Sequence, residues 1–332
     1  MNLELLSKYD RQGQACVAKI YNEARIDCDP LIEELYVLRD GSEIKAVAGL
    51  SGRSIRSLAV ASAYQEKGLA AELVGKLQQL LLREPGEISI TGKAELAAKL
   101  APLGFTEVAK TEKGTPTSFL IYPGDSFAGF LAELKSRIGA VLDLGAIVMN
   151  LNPLTLGHLY LIDEALKECS NVVVFLLSEE SAIPYCKRRE ILLKIADKRP
   201  GLIVQETGPY LVSRATFPAY FYPDSESRAR AQASLDAAVF EQIARAVGIR
   251  YRYLGTEPYS RVTAIYNEVI SAAAKFYEVR IIERLSDRQG LAISASRVRD
   301  VLNSKELSNW EKRTILQEFL PSESLEVLFP SK

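Results

Sequence analysis

Residues 145–166 read GAIVMNLNPLTLGHLYLIDEAL. An apolar run gives out at Asn150, Asn152-Pro153 makes a turn, and Thr155, Leu156, Gly157 and His158 open a segment with helical spacing. Free backbone N–H groups at a helix start, together with the positive end of the helix dipole, attract anions such as phosphate. His158 is the only histidine in 332 residues, so whatever imidazole does in this protein it does at that turn.

Working outward, the same strand-turn-helix unit recurs. LGAIVM (144–149), NVVVFLL (171–177), LIVQE (202–206), YRYLG (251–255) and VRIIER (279–284) are short apolar runs, the texture of strands buried on both faces of a parallel sheet. Helices are expected over His158 to Cys169, Lys187 to Asp197, Ala233 to Val247 and Val262 to Phe276, with a last one starting near Ser296. This rhythm predicts an α/β domain over 144–332, a doubly wound open sheet whose ligands lie beyond the carboxyl ends of its strands.

Residues 1–125 have a different texture, a mixed α+β unit. LIEELYVLRDGSEIKAVAGL (31–50) is a hairpin around Asp40-Gly41. SIRSLAV (54–60) is a strand, and Leu69, Leu73, Leu77, Leu80 and Leu81 mark a helix stopped by Pro85-Gly86. A strand at EISITGK (87–93), a helix near AELAAKLAPL (94–103) and a strand pair around TPTSFLIYPG (115–124) complete it. A connector over 126–143 carries the amphipathic FLAELKSRI.

Composition narrows the class. The formal net charge is −1 without a basic arm, which argues against nucleic acid as partner. Cys16, Cys28, Cys169 and Cys186 are scattered without a C-x-x-C pair, against a zinc knuckle or a disulfide framework. MNLELLSKYDRQ lacks the features of a secretory signal, and no run approaches the roughly twenty apolar residues of a membrane span. A cytoplasmic protein without membrane contact is expected. LEVLFP (325–330) resembles part of a protease tag site without its usual continuation and is read as native.

Three polar segments fall at the carboxyl edge of the expected sheet. In the first, Gly157 would let an anion approach the backbone, and Thr155 and His158 would contact it. In LAISASRVRDVL (291–302), Ser296 would cap a helix while Ser294 and Arg299 supply donors for phosphate oxygens. In LGTEPYSRVTAIYNEVI (254–270), Gly255, Thr256 and Glu257 stand where a ribose or base would lie. Each alone could be a capped helix start or a solvated loop, and His158 alone a surface or capping residue.

The pairing of TLGH with ISAS-x-x-R resembles the signature of the nucleotidylyltransferase superfamily. More narrowly, NPLTLGHLYLI, SRATFPAYF, GTEPYSRVTAIYNE and IERLSDRQGLAISASRVR are similar to the citrate (pro-3S)-lyase ligases, or acetate:citrate lyase ligases. That resemblance implies activation of acetate by ATP with Mg2+ to acetyl-AMP and pyrophosphate. Acetyl would then pass to the thiol of the CoA-like prosthetic group on the acyl carrier subunit of citrate lyase. It implies that His158 and Thr155 grip the triphosphate, that Asn150 and Asn152 shape the turn beside the nucleotide, and that Ser294, Ser296 and Arg299 close over the phosphates. Arg188, in IPYCKRRE, is a candidate for the pyrophosphate or the acetate carboxylate, with a solvated residue at a basic helix start as the rival reading. Arg214 and Thr216 in SRATFPAYF are candidates to approach the site.

LAVASAYQEKGLAAEL (58–73) resembles the pyrophosphate-binding segment of GNAT acetyltransferases, with Gln65, Gly68 and Ala70 in the pattern Q-x-x-G-x-A. No catalytic base or acid stands out around it, so a GNAT-like domain that holds a pantetheine or CoA-like arm is expected. The alternatives are another nucleotidylyltransferase acting on a pantetheine-like or small-metabolite substrate, an acetyl-CoA-dependent acetyltransferase with a nucleotide-sensing domain, and a scaffold.

Overall fold

The computed structural model describes the whole chain except residues 112–115, 180, 212–216, 218–221, 223, 258–259 and 331–332. Its chain divides into two units, residues 1–134 with 212–239, and residues 135–211 with 240–332.

In the first unit β1 (Asn2–Leu5), β2 (Glu34–Asp40), β3 (Glu43–Ser51), β4 (Ser54–Val60), β5 (Ile88–Lys93), β6 (Thr106–Lys110) and β7 (Thr117–Tyr122) form one sheet. Its order is β1-β2-β3-β4-β5-β7-β6. Only β4 and β5 pair in parallel; the other neighbours are antiparallel. Helices α1 (Arg11–Ala24), α2 (Leu69–Leu81), α3 (Leu96–Leu100) and α4 (Ser126–Ile138) as far as Leu134 accompany it among the described residues. The two-residue period of the strands sorts their side chains into two cores. Leu38, Ala46, Ala48 and Leu50 pack with Leu69, Leu73 and Leu77 of α2. Val37, Val47 and Ala59 pack with Val17, Ile20 and Tyr21 of α1. The leucines of α2 recur every fourth residue, which puts them on one helix face, and burying each contributes about 1.5–3 kcal/mol.

The second unit is built on β8 (Leu144–Met149), β9 (Asn171–Leu176), β10 (Leu202–Glu206), β11 (Ile249–Gly255) and β12 (Glu278–Ile282). They pair in the order β10-β9-β8-β11-β12, all parallel. The helices after β8 are α5 (Leu156–Glu168), α6 (Tyr185–Ala196), α7 (Ser225–Val247), of which the part up to Val239 belongs to the first unit, α8 (Arg261–Ala273), α9 (Ala295–Asn303), α10 (Asn309–Leu316) and α11 (Ser322–Leu328). Val172, Val173, Val174, Phe175 and Leu176 are fully buried, as a strand covered on both faces requires. The chain winds from β8 outward to β10, then returns to lay β11 against the other side of β8. That reversal places the crevice for a ligand at the carboxyl ends of β8 and β11.

The fold class is the expected one, with differences in detail. The sequence predicts a second domain unbroken from 144, with its last helix starting near Ser296. In the structure residues 212–239 go with the first unit, and α10 and α11 follow α9. The interposed segment is held there by buried rings. Phe217 and Tyr222 stack with centroids 5.4 Å apart, the Tyr222 hydroxyl lies 2.7 Å from Thr117 Oγ1, and Arg56 donates to the Phe217 carbonyl at 3.0 Å. Arg56 is itself paired with buried Asp29. The LEVLFP segment is structural: Leu325 and Val327 of α11 are buried in two core clusters.

Candidate functional site

The carboxyl end of β8 is fixed by a buried arginine. Arg188, in the first turn of α6, has no exposed surface. Its Nη1 donates to the Asn150 carbonyl at 2.6 Å, to Asn150 Oδ1 at 2.7 Å and to the Leu177 carbonyl at 3.0 Å; Nε donates to the Ile183 carbonyl at 3.0 Å, and Nη2 donates to the Glu179 carbonyl. Arg188, expected from the sequence to meet pyrophosphate or acetate, is placed behind the loop after β8. Its donors close the strand ends of β8 and β9, and the solvated alternative fails. Asn150, held by Arg188, passes a hydrogen bond from Nδ2 to Glu179 Oε1 at 2.7 Å, and Asn152 Oδ1 accepts the Ile183 N–H at 2.9 Å. Both asparagines build the loop.

The loop delivers the chain to α5 through a reciprocal cap. Thr155 is the N-cap, and the ring of His158 takes the place at N3 usually held by Glu or Gln. Thr155 N–H donates to His158 Nδ1 at 3.1 Å, while the Thr155 hydroxyl lies 2.9 Å from Nδ1 and accepts His158 N–H at 3.4 Å. Thr155, expected from the sequence to grip the triphosphate, is 1% exposed, and its hydroxyl serves the cap. Leu156 N–H donates to the Phe319 carbonyl at 2.8 Å. Among the described residues this leaves the Gly157 N–H as the amide of the opening turn without a protein acceptor.

The cap also settles the state of the ring. A backbone N–H is an obligate donor, so Nδ1 presents its lone pair and the neutral imidazole carries its proton on Nε2. Desolvation, and then the positive charge of Arg284, push the imidazole down to about 4. Near neutral pH the histidine offers a fixed N–H dipole and no charge.

Residues 291–299 close against this turn. A Cβ placed on Gly157 would come within 3.3 Å of the Ile293 carbonyl, so glycine there also lets another backbone approach closely. Ser294, not Ser296, caps α9, accepting Arg297 N–H at 3.4 Å. Ser296 lies in the first turn and accepts from Arg299 Nη2 at 2.9 Å, while Arg299 Nη1 donates to the Asn152 carbonyl at 2.6 Å. One guanidinium thus ties the loop after β8 to the start of α9, the two segments paired from sequence.

After β11 the chain runs through Gly255, Thr256 and Glu257. Thr256 N–H donates to the Ile282 carbonyl at 2.9 Å, and its hydroxyl accepts Arg284 N–H at 3.0 Å. The Gly255 carbonyl accepts from Asn267 at 2.9 Å. Glu257 accepts Ser260 N–H at 3.0 Å on Oε1 and the Arg284 guanidinium at 2.6 Å on Oε2, with 6% of its side chain exposed. Its carboxylate faces Arg284, which carries no local signal in the sequence because its partner lies 27 positions away. The candidates Arg214 and Thr216 lie outside the described residues.

The first unit holds a separate cleft of about 620 Å³. β4 and β5 pair only at Ser54 with Ser89 and Ile55 with Ile90. Beyond that point Leu58, Ala59 and Val60 of one strand and Thr91, Gly92 and Lys93 of the other line the cleft, with Gln65, Gly68 and Ala70 at the start of α2. Gly68 caps α2 in the left-handed region at φ +77°, where a side chain is strained. Thus the three residues of the Q-x-x-G-x-A pattern meet at one helix start. Among the described residues no three His, Cys, Asp or Glu side chains gather as a metal cluster, and no helix is long and apolar enough to cross a membrane.

Comparison with known proteins agrees with this architecture. The family model described as "Citrate lyase ligase C-terminal domain" matches residues 144–328. The citrate (pro-3S)-lyase ligase of Escherichia coli K12 is 31% identical over 91% of this chain and 88% of its own. That of Haemophilus influenzae is 28% identical over 99% and 98%. Among solved structures, Thermotoga maritima TmcAL bound with alpha-thio ATP aligns with 56% of this chain and 55% of its own at 17% identity and a TM-score of 0.38, a level at which no residue role is transferred. From the matched model and the near full-length relatives together, the chain belongs to the citrate lyase ligase family.

Proposed function

We propose that the second unit binds ATP at the carboxyl ends of β8 and β11 and uses it to activate acetate, and that the enzyme then acetylates the carrier subunit of citrate lyase. The observation that carries this reading is the junction of the two motif segments, through Arg299 on Asn152 and Ser296 and through Gly157 against Ile293, in a chain of this family. An acetate oxygen attacks the α-phosphorus, the bond to the bridging β-phosphate oxygen breaks, and pyrophosphate leaves. Negative charge grows on the phosphate oxygens, where fixed donors stabilise it. The Nε2–H of His158, the Gly157 N–H and the remaining N–H groups of Arg299 are the donors offered. Mg2+ would ride on the phosphates and neutralise charge there, since such ions are commonly held by few protein groups and several waters.

In the second step the prosthetic-group thiol attacks the acetyl carbonyl carbon, AMP leaves with the electron pair of the acyl-oxygen bond, and the thiol proton passes to solvent. The cleft beside Gln65, Gly68 and Ala70 is the place for the phosphopantetheine-like arm, its phosphates drawn to the start of α2. Acetate and the carrier subunit are the partners, in the cytoplasm, without nucleic acid or membrane. Acetate-dependent exchange of labelled pyrophosphate into ATP tests the first step without any carrier present. Exchange that proceeds equally well without acetate, or none with it, would overturn the reading.

A further inference from the structure

A neutral histidine cannot balance charge at a triphosphate, so permanent positive charge at this site must come from elsewhere. Arg299 supplies part of it. A second arginine stands at the same edge, and its placement is prepared by three separate contacts. Its backbone N–H is held by Thr256 Oγ1 at 3.0 Å, and its Nη2 is held by Glu257 Oε2 at 2.6 Å. The next residue, Leu285, accepts Ile293 N–H at 2.9 Å, and Ile293 in turn is the residue whose carbonyl abuts Gly157. Arg284 therefore sits at the root of a short two-stranded excursion, bridged again at Ser286 and Ala292, whose returning arm leads into the Gly157 turn and the cap of α9.

We propose that Arg284 is a phosphate-binding cation of the adenylation site, and that Glu257 meets the nucleotide only through it, as the residue that aims the guanidinium. Ser260 N–H on the other carboxylate oxygen at 3.0 Å keeps Glu257 from turning. The electrostatic coupling of Arg284 to His158 agrees with this placement. Because the planar fork of a guanidinium suits phosphate oxygens, lysine is an imperfect replacement. The inference rests on the ATP reading above and deepens it.

The single histidine makes the test direct, since its ring signals in an NMR titration belong to His158 without assignment. Wild type, Arg284→Met, Arg284→Lys and Glu257→Gln are compared for ATP affinity by calorimetry, for acetate-dependent pyrophosphate exchange and for the His158 titration midpoint. Arg284→Met is expected to lower exchange turnover by about a hundredfold, the scale of one lost transition-state donor, and to move the His158 midpoint upward. Arg284→Lys should recover part of the turnover and the low midpoint. Glu257→Gln, which keeps the cation and loosens its hold, should fall between wild type and Arg284→Met. Unchanged ATP affinity and exchange in folded Arg284→Met overturns the assignment while leaving the ATP reading intact. If that variant does not fold, full activity in Glu257→Gln overturns the aiming role, and full activity in Arg284→Lys overturns the need for the planar fork. A wild-type chain that neither binds ATP nor exchanges overturns the nucleotide reading, and this assignment with it.

Discussion

Replacing His158 by glutamine and by alanine separates two tasks of one side chain. On one nitrogen the ring completes the cap of α5, accepting Thr155 N–H at 3.1 Å; on the other it presents an N–H. Glutamine is an ordinary residue at that position of a capping box and can accept the same Thr155 N–H. Alanine cannot, and a lost cap typically costs about 1 kcal/mol. Neither replacement sets an N–H where imidazole Nε2 holds it, so both lose one fixed donor, a loss of about 10²–10³ in turnover. Urea unfolding should therefore rank the glutamine variant near wild type with alanine about 1 kcal/mol below, whereas acetate-dependent pyrophosphate exchange should show both variants far below wild type. With the imidazole held down to about 4, the contribution of His158 to turnover should not change between pH 8 and pH 6. If alanine keeps full turnover while losing stability, His158 is a cap alone and the donor role is refuted. A His158 contribution that grows as pH falls through 6.5 would show that the imidazolium is the working form.

Three further outcomes follow from the geometry. Gly68→Glu should abolish acetylation of the carrier subunit while acetyl-AMP formation persists, and Gly68→Ala, which imposes the same backbone strain at φ +77° without the charge, should retain most of the transfer; equal loss of both steps in Gly68→Glu counts against the arm-binding cleft. Arg188→Met should lower stability by about 3–5 kcal/mol, because it strips a buried charge-assisted network from several carbonyls, and thermal unfolding reads this directly. Stability should fall on acidification between pH 6.5 and about 4: there the unfolded histidine binds a proton that the folded one refuses, so unfolding is favoured as pH drops, by at most about 3 kcal/mol. Denaturant midpoints of wild type and His158→Gln across that range give the share owed to His158, and parallel curves would remove it.

The strands of the second unit were legible because full burial leaves only apolar side chains, and Val172 to Leu176 announce themselves wherever they occur. The junction of TLGH with ISAS-x-x-R was legible only through family resemblance, since nothing local to either segment points to Arg299 bonding across 147 residues to Asn152. Roles within the segments were harder. Ser294 and Ser296 are equally good caps by chemistry, and the choice depends on which backbone turn places a hydroxyl before Arg297 N–H. Arg188 lies in a Lys187-Arg188-Arg189 run that reads as solvated, yet helical spacing turns the middle residue alone into the core. Arg284 gave no signal because its meaning lies in Glu257 and His158, brought together only by the order of strands. The short helices α10 and α11 escaped because a seven- or eight-residue apolar stripe carries too little periodicity to stand out from loop.

The chain leaves the second unit after Leu211, lodges residues 212–239 in the first, and returns at Phe240. No single cut between the two units yields two whole pieces. A fragment ending at 143 would expose the seat of Phe217 and Tyr222 and strip Arg56 of its carbonyl acceptor; the complementary fragment would carry those rings bare into water. Gene fission, or dissection in the laboratory, must keep Phe217 and Tyr222 with the amino-terminal half, because the partners of these two rings stand far ahead of them in the chain.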